Sequence, residues 1–259
     1  MNIGTAVPSP DELASAKHHF IQHKSIKENY SVGDFEREAI STLKGLHKKK
    51  PIIIMVGGSG LYVKAVTKGL DYFPEVDASI RKKLNEQLVL EGLNSLQDQL
   101  KKLDHIAYKT IAIDNPKRVI RALEICIGTS KPYSSFLTNP EKNREFKTIT
   151  IGLDAERSII YNRINQRVNL MIENGLLEEV ESLIPNKHLN ALNTVGYKEL
   201  FEYFEGNSTL EYATSEIKKN TRRFAKRQLT WFRKDKSIKW YDYQTNINAI
   251  INYIEESIK

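Results

Sequence analysis

The sequence predicts an α/β fold, a parallel-sheet core carrying a helical insertion. Three observations lead there. The unbroken apolar run Pro51-Ile52-Ile53-Ile54-Met55-Val56 has the composition of a strand buried on both faces of a parallel sheet. It stands after a helical pattern and before a glycine turn that opens another helix, and helix, strand, turn, helix is the order of α/β proteins. From about residue 75 to residue 113 only helical spacing is present, which marks an insertion.

The elements follow in order. Residues 1–30 are loop-rich, with Pro8, Pro10 and the pair His18-His19. Ser31 with Asp34 three residues on is a helix-start signal, and Phe35, Ile40, Leu43 and Leu46 continue the helix as an apolar face. After the strand at 51–56, Gly57-Gly58-Ser59-Gly60 turns the chain into a helix through Leu61, Tyr62, Val63 and Val66. Asp77 caps a helix with Ile80, Leu84 and Leu88, and Leu93, Leu96, Leu100 and Leu103 mark another. Asp114-Asn115-Pro116 starts the next one, with Pro at the first helical position, where a missing N–H costs nothing. Residues 146–153 alternate as a strand, and Asp154 is expected to open a long helix through Tyr161, Ile164, Val168 and Met171 that stops near Gly175. Further helices, a short strand at Ile238-Lys239-Trp240-Tyr241 and a terminal helix complete the chain. The expected organisation is therefore a first core segment at 1–74, a helical insertion at 75–113 and a second core segment at 114–259.

Composition narrows the function. The chain has 259 residues, 40% hydrophobic and 27% charged, as expected of a water-soluble domain. No apolar run approaches the roughly 18 residues needed to span a bilayer, and no signal-peptide pattern is present, so no membrane association is expected. A single cysteine, Cys126, sits in an apolar-periodic segment as a core residue; this excludes an internal disulfide and suits a reducing compartment, the cytoplasm.

Charge is the most informative feature. Residues 218–236 hold nine Lys/Arg against one acid, a local balance of +8 in a chain of net charge +7. The remainder is nearly neutral, so the basicity belongs to one helix. A concentrated cationic helix with interleaved aromatics is the footprint of a polyanion-binding surface. Lys219, Arg222, Arg223 and Lys226 fall on one helical stripe, and acidic partners four residues away are missing. The plain alternative is a solvated amphipathic helix with Ile217, Phe224, Leu229 and Phe232 as its buried side.

Smaller constellations suggest anion binding. Glycines after a buried strand let backbone N–H groups approach a phosphate, and Ser59 adds a hydroxyl donor. Arg163 and Arg167 are spaced to share a helix face, and Lys117, Arg118 and Arg121 cluster at a helix start. Each also has a plain reading as turn or surface. His18-His19 diverge as neighbours, and no Cys/His/carboxylate set completes a metal site. No GxxxxGK[ST] pattern occurs in the 259 residues.

These pieces, in this order, resemble the tRNA dimethylallyltransferase family. The resemblance rests on Met1-Asn2-Ile3-Gly4-Thr5-Ala6 with Pro8, His18-His19-Phe20-Ile21, Tyr30-Ser31-Val32-Gly33-Asp34-Phe35 and Val56-Gly57-Gly58-Ser59-Gly60-Leu61-Tyr62. It continues through Asn115-Pro116-Lys117-Arg118-Val119-Ile120-Arg121-Ala122-Leu123-Glu124, Arg163 to Arg167, Met171 with Gly175 and Glu178-Glu179-Val180, Val195-Gly196-Tyr197-Lys198, and Ala225-Lys226-Arg227-Gln228-Leu229-Thr230-Trp231. Each motif is modest; their sequence along the whole chain is specific.

The resemblance implies a phosphate-loop kinase-like α/β core with a helical insertion. It implies transfer of the dimethylallyl group of dimethylallyl diphosphate to N6 of adenosine 37, in tRNAs reading codons that begin with U, with Mg²⁺ as cofactor and a monomer acting on the anticodon stem-loop. Carried over residue by residue, Ser59 is the catalytic position and Gly57, Gly58 and Arg167 face the diphosphate. Arg81, Lys117, Arg118, Arg121, Gly196, Tyr197, Lys198, Arg222, Arg223, Lys226, Arg227 and Gln228 are the tRNA-binding set. The family pattern also includes a first strand, a GPTxxGKT loop and an Asp-Ser pair ahead of the stretch matched by Met1. None of these occurs in the 259 residues, so the chain made as written is expected to be inactive and to leave apolar core surface uncovered. The other readings are a module that holds anticodon loops without chemistry, and a nucleotide kinase-like protein, which the missing phosphate loop and the basic helix both disfavour.

Overall fold

The computed structural model describes residues 1–138 and 143–259. Several of its helices begin where side chains satisfy free backbone N–H groups. Ser9 and Glu12 form a reciprocal capping box on α1 (Pro10–Ser15), and Ser31 and Asp34 do the same on α2 (Val32–His47). α3 (Gly60–Thr67) follows the glycine turn. α4 (Ala78–Leu103) starts at Asp77, whose carboxylate accepts the Ser79 N–H at 2.8 Å. It is broken at Gly92, with φ +80°, so the two expected helices are two arms of one kinked element.

Asp104 caps α5 (His105–Thr110), and Asn115 caps α6 (Pro116–Thr129), with Pro116 in the first turn. β1 (Ile151–Asp154) precedes α7 (Arg157–Glu173) and α8 (Leu176–Ser182). Then come α9 (Tyr197–Phe204), α10 (Leu210–Phe232), β2 (Lys239–Asp242) and α11 (Ile247–Ile258). The strands β1 and β2 pair in parallel, Ile151 opposite Lys239 through Asp154 opposite Asp242.

The chain divides into two compact units. One comprises Met1–Val63 with Phe146–Lys259, the other Lys64–Glu145. The first is cored by Val168, Leu176, Val180, Leu192, Tyr197, Leu200, Phe201, Ala213 and Ile217, which join α7 to α10. The second is cored by Leu84, Leu96, Leu100, Val119, Leu123 and their neighbours, where α4 packs on α6. Burial of each such aliphatic side chain contributes about 1.5–3 kcal/mol, so these faces determine which helices stay together. The insertion expected at 75–113 therefore forms only part of a larger unit. α6, assigned from sequence to the core, closes the hydrophobic face of α4. Cys126 is buried in this core, as its periodicity implied.

Three expectations are corrected. Residues 51–56 form no strand: Ile54 is 83% exposed and Val56 90%, because no described segment pairs with them. An apolar run becomes a buried strand only when neighbours satisfy its backbone groups and cover its faces. The strand expected at 146–153 is confined to Ile151–Asp154, the residues that β2 pairs. Asp154 does not start the long helix, which begins at Arg157; its carboxylate bonds the Arg233 guanidinium at 2.5 Å instead.

Candidate functional site

The basic helix α10 is built in two halves. Thr209 caps its start, and its first half buries Ala213 and Ile217. Beyond Ile217 no side chain of the helix is buried, so the cationic half lies along the surface. Arg222 is anchored, donating to Asn165 Oδ1 of α7 at 2.8 Å and lying 5.8 Å from the Tyr161 ring centre. Arg223, Lys226 and Arg227 are exposed. Arg227 lies over Phe224, which is 46% exposed and is not the buried side-chain position that amphipathic spacing suggests. Lys219 pairs with Glu216 one turn back, so the helix does neutralise one of its charges.

The glycine turn meets this helix. A Cβ on Gly58 would collide with the Gln228 carboxamide, and one on Gly60 would collide with the Trp231 indole. Those two glycines are thus required for close approach to α10. Gly57 has open space around it. Ser59, between them, is exposed. The fold so brings Gly57, Gly58, Ser59 and Gln228 together from distant parts of the chain. Arg227 and Lys226 precede Gln228 within one turn of the same helix, and Arg223 and Arg222 lie between one and two turns back.

Gly60→Ala is expected to push the indole aside. The cost is about 1–2 kcal/mol for overpacking. Intrinsic tryptophan fluorescence should change in the folded state, while an unchanged spectrum and melting temperature would show that the glycine and the indole do not touch.

Other candidates separate. On α7, Arg163 and Arg167 are both exposed, and Arg163 also lies over the Tyr243 ring at 4.4 Å. Gly196 and Tyr197, expected among the tRNA-binding residues, are both buried in this structure, Tyr197 with 0% exposure. Gly196 has φ +100°, a conformation that favours glycine, and its N–H bonds Glu199 Oε2 at 2.8 Å. The Tyr197 hydroxyl donates to Glu179 Oε1 at 2.6 Å, and only Lys198 of the three is exposed.

Glu179 is a residue whose role sequence reading missed. Its carboxylate accepts three successive backbone N–H groups, those of Asn2 at 2.6 Å, Ile3 at 2.9 Å and Gly4 at 3.1 Å. Burial raises its carboxyl, but the Tyr197 hydroxyl and the three N–H donors outweigh that and hold it below the ordinary value. Burial and the adjacent Glu179 charge push the Tyr197 phenol up in turn. The only sequence clue was the Glu178-Glu179 pair; nothing local ties it to residues 2–4.

In the second unit, Lys117 and Arg118 are exposed at the start of α6, their N–H groups directed at Asn115 Oδ1. Arg81 of α4 and Arg121 of α6 converge on Glu124, at 2.6 and 3.0 Å from its Oε2. Arg121 also lies 5.3 Å from the centre of the Phe73 ring.

Among the described residues no group of three or more His, Cys, Asp or Glu can hold a metal ion. No helix of the described residues is long and apolar enough to cross a membrane.

Comparison with known proteins agrees with this layout. The family model described as IPP transferase matches residues 1–235. A tRNA dimethylallyltransferase of Christiangramia forsetii is 62% identical over 258 residues, covering 100% of this chain and 85% of the relative. One from Flavobacterium johnsoniae is 56% identical, covering 100% and 86%. Among solved structures, the full-length tRNA isopentenylpyrophosphate transferase of Bacillus halodurans superposes with TM-score 0.69 at 36% identity, covering 99% of this chain and 83% of that one. A eukaryotic dimethylallyltransferase acting on tRNA shares the fold, with TM-score 0.75 at 24% identity, over 99% of this chain and 69% of its own.

Proposed function

The chain belongs to the IPP transferase family, and from that premise we propose that it is a tRNA prenyltransferase acting on the anticodon loop. The substrate pair is dimethylallyl diphosphate and adenosine 37 of tRNAs reading codons that begin with U. The adenine N6 attacks the allylic carbon, the C–O bond breaks, diphosphate leaves with the electron pair, and N6 loses a proton.

One observation carries this reading: the Gly57–Gly60 turn sits against Gln228 and Trp231 of the basic helix. Groups suited to a diphosphate thereby adjoin the helix that carries cations suited to an RNA backbone. Leaving diphosphate gains charge in the transition state, so a preorganised hydroxyl such as that of Ser59, the open backbone at Gly57 and a cation such as Arg167 lower the barrier. An anticodon-loop base is already unstacked, which makes its extraction inexpensive compared with a duplex base. The cations of α10 then hold the stem phosphates without reading sequence.

A second reading is a polypeptide that holds the anticodon loop without chemistry. It is favoured by the exposed cationic half of α10, which suits RNA phosphates and needs no reacting group beside it. Binding separates the two. The prenyltransferase reading expects saturable binding of dimethylallyl diphosphate and incorporation of labelled prenyl into an anticodon stem-loop with adjacent adenosines at 36 and 37. The holding module expects salt-dependent RNA binding with neither. A chain that binds neither RNA nor the diphosphate would end both readings.

A further inference from the structure

Glu124 and Asp104 are the buried carboxylates of the second unit among the described residues, 5% and 4% exposed; Asp104 caps α5, whereas Glu124 is held by arginines. A buried carboxylate is retained only with partners that offset its lost hydration. It has two. Arg81 reaches it from α4 in fork geometry, Nε to Oε1 at 3.1 Å and Nη2 to Oε2 at 2.6 Å. Arg121, one turn earlier on α6, donates Nη1 to the same Oε2 at 3.0 Å. The two arginine side chains remain 53% and 41% exposed, so the charge faces water while the anchor does not.

We propose that Glu124 is a positioning residue for RNA binding: it holds Arg81 and Arg121 side by side so that their unused N–H edges grip a backbone phosphate of tRNA. The inference rests on the tRNA-binding reading above. Two guanidiniums sharing one carboxylate keep a net single positive charge, and each retains donors that the carboxylate does not use. Phe73 under Arg121 removes further freedom from that side chain. Arginines held in place before RNA arrives lose less rotational entropy on binding than free surface arginines do. Burial would raise the Glu124 carboxyl, but the two arginines outweigh it and keep it ionised at neutral pH.

The sign of one substitution separates positioning from bulk charge. Glu124→Gln adds a positive charge to the surface, so simple electrostatics expects tighter RNA binding. Positioning expects the reverse, because the Gln amide directs a donor at a guanidinium and frees both arginines. The test titrates a fluorescein-labelled anticodon stem-loop against the 259-residue chain by anisotropy at several salt concentrations. Glu124→Gln should raise Kd about tenfold and reduce the slope of log Kd against log salt by about one. Arg81→Lys, which keeps charge but cannot make the fork, should weaken binding to a similar degree.

Native-like or tighter binding by Glu124→Gln, or native binding by Arg81→Lys, overturns the proposal. Circular dichroism checks folding, and Arg81→Lys carries the test if Glu124→Gln unfolds. Absence of salt-dependent binding by the native chain would end the tRNA reading and this inference with it. Weakening by Arg121→Ala, with Glu124→Gln and Arg81→Lys as native, would end the inference alone.

Discussion

Replacing Arg223, Lys226 and Arg227 together by alanine is expected to weaken binding of an anticodon stem-loop on the order of a hundredfold near physiological salt, from the counterion released at each lost phosphate contact. All three side chains are exposed on the half of α10 that buries nothing, so their removal should leave the fold intact. Each neutralised phosphate contact adds about 0.7–0.9 to the salt slope, so the triple variant should lose about two of that slope. Arg222 behaves differently because it is tied to Asn165 and Tyr161. Its loss should lower thermal stability slightly as well as affinity. Titration of labelled RNA at three or more salt concentrations decides the matter. A triple variant with native affinity and native slope would mean that the basic helix is a solvated face and that RNA binds elsewhere.

Glu179→Gln is expected to destabilise the first unit by about 2–3 kcal/mol at pH 7, the scale for lost charge-assisted hydrogen bonds discounted for partial exposure. The native carboxylate accepts three N–H groups from residues 2–4 and the Tyr197 hydroxyl, while the amide offers one acceptor oxygen and a misplaced donor. Gly4 packs so closely on the Tyr197 ring that a Cβ there would lie 2.5 Å from the hydroxyl oxygen, so the segment has no alternative seat nearby.

The pH dependence has a defined sign. The folded-state carboxyl is lowered, so its contribution is complete above the ordinary carboxylate value of 4.5 and is lost as pH falls through the lower folded value. The difference in melting temperature between native protein and Glu179→Gln should be about 5 °C at pH 7, nearly the same at pH 5.5, and should close only in stronger acid. Equal melting at pH 7 would show that the segment at 2–4 is held by its apolar contacts alone. Tyr197→Phe should fall between the two proteins.

Much of the helical framework was legible in the sequence because its signals are local. Ser31 with Asp34, Asp77, and Asn115 before Pro116 place helix starts through hydrogen bonds within three residues, and all occur as expected. The strand expected at 51–56 was not legible, because a strand exists by virtue of its neighbours and apolar composition cannot supply them. The basic helix was plain from its charge, yet which of its arginines are free was not. Arg222 is held by α7, more than fifty residues away in sequence, whereas Lys226 stands in solvent.

By itself, then, the sequence determined the family, the helices with local caps, the concentration of charge on α10 and the residue types available to an RNA and a diphosphate. Only the tertiary structure decided that Gly58 and Gly60 serve contact with Gln228 and Trp231, that Tyr197 is internal, and that Glu179 and Glu124 organise groups far from them in the chain. The division follows from range. Capping and helical spacing act over three or four residues and leave a written pattern, whereas a buried carboxylate or a glycine under an indole is set by whichever distant surface packs there.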